Sequence, residues 1–107
     1  CEYYALEGLS QLIHTINLVQ ERLNPHLQIE GVVFTMYDVR TNLSNQVVEN
    51  VKENLDTKIY ETMIPRNIRL AEAPSYGLPI NMYDSKSAGA ESYRKLAKEI
   101  INRKDLD

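Results

Sequence analysis

Three stretches of this chain gather the residue types that hold ligands: Thr35-Met36-Tyr37-Asp38-Val39-Arg40, Ile64-Pro65-Arg66-Asn67 and Ala71-Glu72-Ala73-Pro74-Ser75-Tyr76-Gly77. Each comes after an apolar run that reads as a strand, and in open α/β sheets ligands collect at the carboxyl ends of strands. The chemistry they suggest is binding rather than bond-making. No G-x-x-x-x-G-K-[ST] phosphate cradle, zinc-ligand spacing or G-x-S-x-G elbow occurs, so no catalytic residue and no metal ligand is assigned. His14 falls inside a helical pattern and His26 follows the Asn24-Pro25 break, with no second ligand near either, so both read as structural or solvent-facing. On spacing alone a plainer reading of the three stretches stays open: a strand end with a helix cap, a proline strand stop and a surface loop.

The elements that must position these stretches follow from hydrophobic periodicity. Leu6, Leu9, Ile13, Ile16, Val19 and Leu23 recur three or four residues apart, which predicts an amphipathic helix ended by Asn24-Pro25. Ile29 to Met36 contains Val32-Val33-Phe34 and predicts a strand covered on both faces. Leu43, Val47, Val48, Val51 and Leu55 predict a second helix, with Thr41 or Asn42 as its N-cap. Ile59 to Ile64, closed by Pro65, predicts a second strand and completes a strand-helix-strand unit with a right-handed crossover. Pro65 to Ser87 reads as a long functional connection with a short strand at Ile80 to Tyr83. Ala90, Tyr93, Leu96, Ala97, Ile100 and Ile101 predict a final helix, and residues 102–107 a frayed polar end. The expected class is α/β.

Composition bounds the rest. The 107 residues fit one small domain, and 43% apolar with 25% charged residues is the balance of a globular protein. A net charge of -3 argues against coating nucleic acid with the whole surface, while leaving room for a local basic patch. Cys1 is the single cysteine, so there is no internal disulfide, and a reducing compartment is favoured. No run reaches the roughly 18 apolar residues of a membrane span. Two strands do not make a self-sufficient sheet, and the chain opens without an initiator Met, so it is expected to be a piece of a longer protein whose partner strands precede Cys1.

Four segments then carry a resemblance. Cys1 to Leu9, Thr35 to Leu43, Ile64 to Gly77 and Ala88-Gly89-Ala90-Glu91-Ser92-Tyr93 together resemble the ParA/Soj family of chromosome-partitioning ATPases, relatives of MinD. The resemblance covers essentially the whole chain and corresponds to the region after the family's switch segments. It implies that residues 1–107 form the C-terminal portion of a P-loop-type parallel sheet with flanking helices, the N-terminal strands being absent. In that family the deviant Walker A lysine and the magnesium-binding aspartates lie in the N-terminal half. The full-length parent would therefore hydrolyse ATP with Mg2+ by phosphoryl transfer to water. The present chain alone is expected to be inactive and to hold no cofactor tightly.

Site by site, the resemblance implies that Pro65, Arg66 and Asn67 frame the purine while Met36, beside Thr35 and Tyr37, shapes the opposite wall. Arg40 and Arg69 match the family's contacts to non-specific DNA, and Lys86, Arg94, Lys95 and Lys98 could extend that patch. The implied partners are DNA, a ParB-type centromere-binding protein and a second copy in an ATP-dependent homodimer. No membrane association is implied, and the expected location is the cytoplasm at the nucleoid. Glu2, Tyr3 and Tyr4 match a helix start near the nucleotide and dimer face, though core packing would also suit them. Two positions depart from the family pattern, Leu78 where a basic residue is common and Ser85 where proline is usual. Chromosome and plasmid origins both remain open. The alternative is a non-catalytic α/β interaction or regulatory module.

Overall fold

The apolar repeat from Leu6 to Val19 winds into α1 (Ala5–Arg22), as the periodicity predicts. The computed structural model describes Cys1 and residues 5–106; the expectations attached to Glu2, Tyr3, Tyr4 and Asp107 lie outside the described residues. The chain divides into two units, Cys1–Val32 with Val39–Ile59, and Val33–Asp38 with Tyr60–Asp107.

In the first unit α1 ends where the Asn24 side chain accepts the His26 N–H at 3.0 Å, the turn that Asn24-Pro25 foretells. α2 (Asn42–Asn54) starts at Thr41, whose hydroxyl accepts the Ser44 N–H at 3.2 Å. That bond satisfies one of the donors a helix start leaves orphaned. Val47, Val48 and Val51 of α2 are buried as its stripe requires. Leu23, by contrast, is 80% exposed, so the α1 stripe stops at Val19. A parallel bridge in this unit joins Val32 to Ile59, with the Val32 N–H donating to Lys58 O at 2.9 Å.

In the second unit a second parallel bridge joins Tyr37 to Pro65. The Ile64 N–H donates to Phe34 O at 2.8 Å and the Tyr37 N–H donates to Ile64 O at 3.1 Å. A regular parallel ladder places one residue between two such bonds; here Thr35 and Met36 both stand there. Met36 takes up the surplus with φ of 53°, a left-handed conformation uncommon for a side chain of its size. The result is a bulge, which ends regular pairing and re-aims the local side chains.

Beyond Pro65 come α3 (Ile68–Glu72), a 3-10 turn (Ala73–Tyr76), α4 (Ile80–Tyr83) and α5 (Ala88–Leu106). Gly77 closes the turn at φ of 66°, which its missing Cβ permits at little cost. Ser87 caps α5, its hydroxyl oxygen accepting the Ala90 N–H at 3.1 Å.

Several expectations are corrected. The two strands are reduced, among the described residues, to the two isolated bridges, because each segment is paired along one edge and the bulge interrupts that pairing. Of Val32-Val33-Phe34 only Phe34 is buried, so the run is not covered on both faces. Ile80 to Tyr83 is helical, not extended: Pro79 sets the entry to α4, and a four-residue apolar run has too little length to fix a period. The long connection is a chain of short helices. Residues 102–106 continue α5 instead of fraying.

Candidate functional site

A cleft of about 530 Å³ opens in the second unit, and Met36, Pro65, Arg66 and Asn67 all line it, with Thr35 and Tyr93. The four residues that the sequence offers for ligand framing therefore converge, and the fold shows how. The bulge brings Thr35 and Met36 to one wall. The Tyr37–Pro65 bridge, supported by the Arg66 N–H donating to Tyr37 O at 3.0 Å, sets the adjacent turn in register with it. Asn67 caps α3, its Oδ1 accepting the Leu70 N–H at 3.3 Å.

That cap decides what the turn can offer a ligand. With Oδ1 committed, the Asn67 carboxamide keeps its NH2 donor. Among the described residues neither the Pro65 carbonyl nor the Asn67 backbone N–H has a hydrogen-bond partner. An acceptor and a donor two residues apart on a stiff turn, beside aliphatic walls, suit the edge of a planar heterocycle that carries neighbouring donor and acceptor groups.

Two features of α5 hold the 64–71 wall in place. Gly89 packs so closely on Leu70 that an added Cβ would lie 2.4 Å from Leu70 Cγ, which fixes α5 against α3. Ten residues on, Glu99 Oε2 and Oε1 accept the N–H groups of Glu61 and Thr62 at 2.7 and 2.9 Å, and Arg103 bridges to the same carboxylate at 3.1 Å. Burial alone would push the Glu99 carboxyl up; the Thr62 and Glu61 hydrogen bonds and the Arg103 charge outweigh it and leave the group below the usual range. Arg103 also lies over the buried Tyr60 ring, 4.8 Å from its centroid. Sequence reasoning missed Glu99. The available signal was a carboxylate beside the apolar stripe of α5, between Leu96 and Ile100.

The two arginines singled out in the sequence are placed differently. Arg40 is exposed in the first unit, just before α2. Arg69 sits on α3 of the second unit, two residues past Asn67 but outside the cleft lining. Its guanidinium pairs with Glu72 at 3.3 Å and with Asp84 at 3.4 Å. Tyr83 donates its hydroxyl to the same Glu72 carboxylate and stacks on Tyr76 at 5.1 Å. The Glu72 hydrogen bond, then burial, raises the Tyr83 phenol. Arg94 is tied to the loop before α5, donating to Ser85 O at 2.8 Å. Among the described residues no cluster of His, Cys, Asp or Glu could hold a metal ion, and no helix is long and apolar enough to cross a membrane.

Residues 3–80 match the family model described as the CobQ/CobB/MinD/ParA nucleotide binding domain. The sporulation initiation inhibitor protein Soj of Bacillus subtilis is 62% identical over 100 residues, covering 94% of this chain and 40% of the relative. The chromosome partitioning protein ParA of Myxococcus xanthus is 54% identical over 103 residues, 96% of this chain and 36% of its own length. The chromosome-partitioning ATPase Soj of Treponema pallidum is also 54% identical over 103 residues, 96% of this chain and 41% of its own. The chain thus spans about two fifths of these relatives.

Proposed function

The chain belongs to the CobQ/CobB/MinD/ParA nucleotide-binding domain family, with Soj/ParA partitioning proteins among its relatives, and from that premise we propose that it is the base-binding part of an ATP-dependent DNA-segregation ATPase. The observation that carries this reading is the cleft itself. Met36, Pro65, Arg66 and Asn67 meet around it, with the Pro65 carbonyl and the Asn67 N–H without partners among the described residues. In adenine an exocyclic amine lies beside a ring nitrogen acceptor, so its edge answers a carbonyl and an N–H on one turn. Asn67 Nδ2 adds a second donor, and the aliphatic walls exclude water from the ring faces.

ATP, when bound with Mg2+, would supply a transferable phosphoryl group. The residues of this chain would hold and orient the base, while a phosphate cradle and the magnesium ligands lie elsewhere in the parent polypeptide. Arg40 and Arg69 are assigned to DNA phosphates, because an always-charged guanidinium suits a sequence-independent contact. For Arg69 that contact means exchanging the Glu72 and Asp84 carboxylates for phosphate oxygens. The parent is read as an ATP-dependent homodimer, acting at the nucleoid with a ParB-type partner.

Charge reversal tests the assignment. In the parent protein, Arg40→Glu with Arg69→Glu abolishes ATP-dependent retention on DNA and leaves ATP affinity nearly unchanged, read by DNA co-sedimentation beside a nucleotide titration. Loss of both activities together would give the arginines a role in the fold or the nucleotide site instead.

A further inference from the structure

Tyr93 falls on the apolar stripe of α5 and by periodicity belongs to the core, yet it is 42% exposed and lines the same cleft as Pro65 and Asn67. It is the one aromatic side chain among the residues that line the cleft. Its hydroxyl has no hydrogen-bond partner among the described residues. Exposed tyrosines are ordinary, but this one stands on a helix anchored on both sides of it. Gly89, one turn earlier, is locked against Leu70, which itself lines the cleft. Glu99, six residues later, grips the backbone of Glu61 and Thr62, which leads into Ile64 and Pro65. The same helix is thus fastened at two points to the 61–71 stretch that supplies one wall of the cleft, and Tyr93 lies between the fastenings.

We infer that Tyr93 is a ligand-contacting residue whose ring covers the base held by Pro65 and Asn67. The inference rests on the purine reading of the cleft. A flat π-surface is the feature that the aliphatic lining lacks, and stacking on a heterocycle pays little entropy because a tyrosine has only two χ angles to fix. Stacking tolerates any base, so hydrogen bonding by the Pro65–Asn67 turn gives selectivity and Tyr93 gives affinity.

The test uses the parent protein and ATP, with inorganic triphosphate as the control ligand. Tyr93→Ala weakens ATP binding roughly tenfold, the magnitude of losing one base–aromatic stack, while Tyr93→Phe binds as tightly as the unaltered protein. Triphosphate affinity is the same in all three, which a merely structural role for Tyr93 would not preserve. Tyr93→Trp adds an emission that ATP quenches and triphosphate leaves alone. Unchanged ATP affinity in Tyr93→Ala, with Asn67→Asp still impaired, would overturn the inference and leave the purine reading standing. Unchanged affinity in both would overturn the purine reading and this inference with it.

Discussion

We read Asn67 as doing two jobs with one carboxamide, a cap that the structure shows and a ligand contact that we propose, and they can be separated. Its Oδ1 caps α3 through the Leu70 N–H, while its NH2 has no hydrogen-bond acceptor among the described residues. Asn67→Asp preserves the capping acceptor and removes the donor; Asn67→Ala removes both. In the parent protein we expect Asn67→Asp to fold with undiminished stability and to bind ATP roughly tenfold more weakly, the cost of leaving a ligand acceptor unpaired. Asn67→Ala should lose the same affinity and also about 1 kcal/mol of stability. Thermal melts and calorimetric titration read the two effects, and normal ATP affinity in Asn67→Asp would reduce the residue to a cap. The position of Asn67 after Pro65-Arg66 was legible in the sequence, but its cap was not singled out there. Nor was the full pairing of Arg69: Glu72 stands three residues on along α3, but Asp84 meets the guanidinium only after the intervening turn and α4 fold back.

At the scale of elements, α5 is the part that holds the cleft in shape, and Glu99 is its clasp. A carboxylate held below its ordinary value favours folding in the ionised form. Its contribution is full above the unfolded value of about 4.3 and is lost as pH falls through the lower, folded value. Stability of the parent protein measured by denaturant from neutral pH down to acid should therefore include an acid-labile part that Glu99→Gln removes; identical pH profiles would show that the clasp contributes nothing. The long helices were readable because a 3.6-residue repeat persists over many turns, and residue type alone narrowed the α2 cap to Thr41 or Asn42, of which the structure uses Thr41. The strands were not. Their apolar content was visible, but the extra residue at Met36 is a backbone event that neither hydropathy nor β-propensity records, and it is also what brings Thr35 and Met36 to the cleft.

At the scale of the molecule, apolar side chains remain in solvent: Ile68 at 74%, Met82 at 72% and Val39 at 71% exposure, while no described side chain of α1 is fully buried. With the chain spanning about two fifths of its relatives, we read these faces as surfaces the rest of the parent covers, and the nucleotide as bridging the two parts: base here, phosphates there. The most direct measurement is photolabelling of the parent with an ATP analogue that carries an azido group on the adenine, followed by peptide mapping. The account predicts that the label falls within 35–37, 64–71 or at Tyr93, and that excess ATP suppresses it. Suppressible labelling confined to residues outside this chain would contradict the claim that its cleft holds the base.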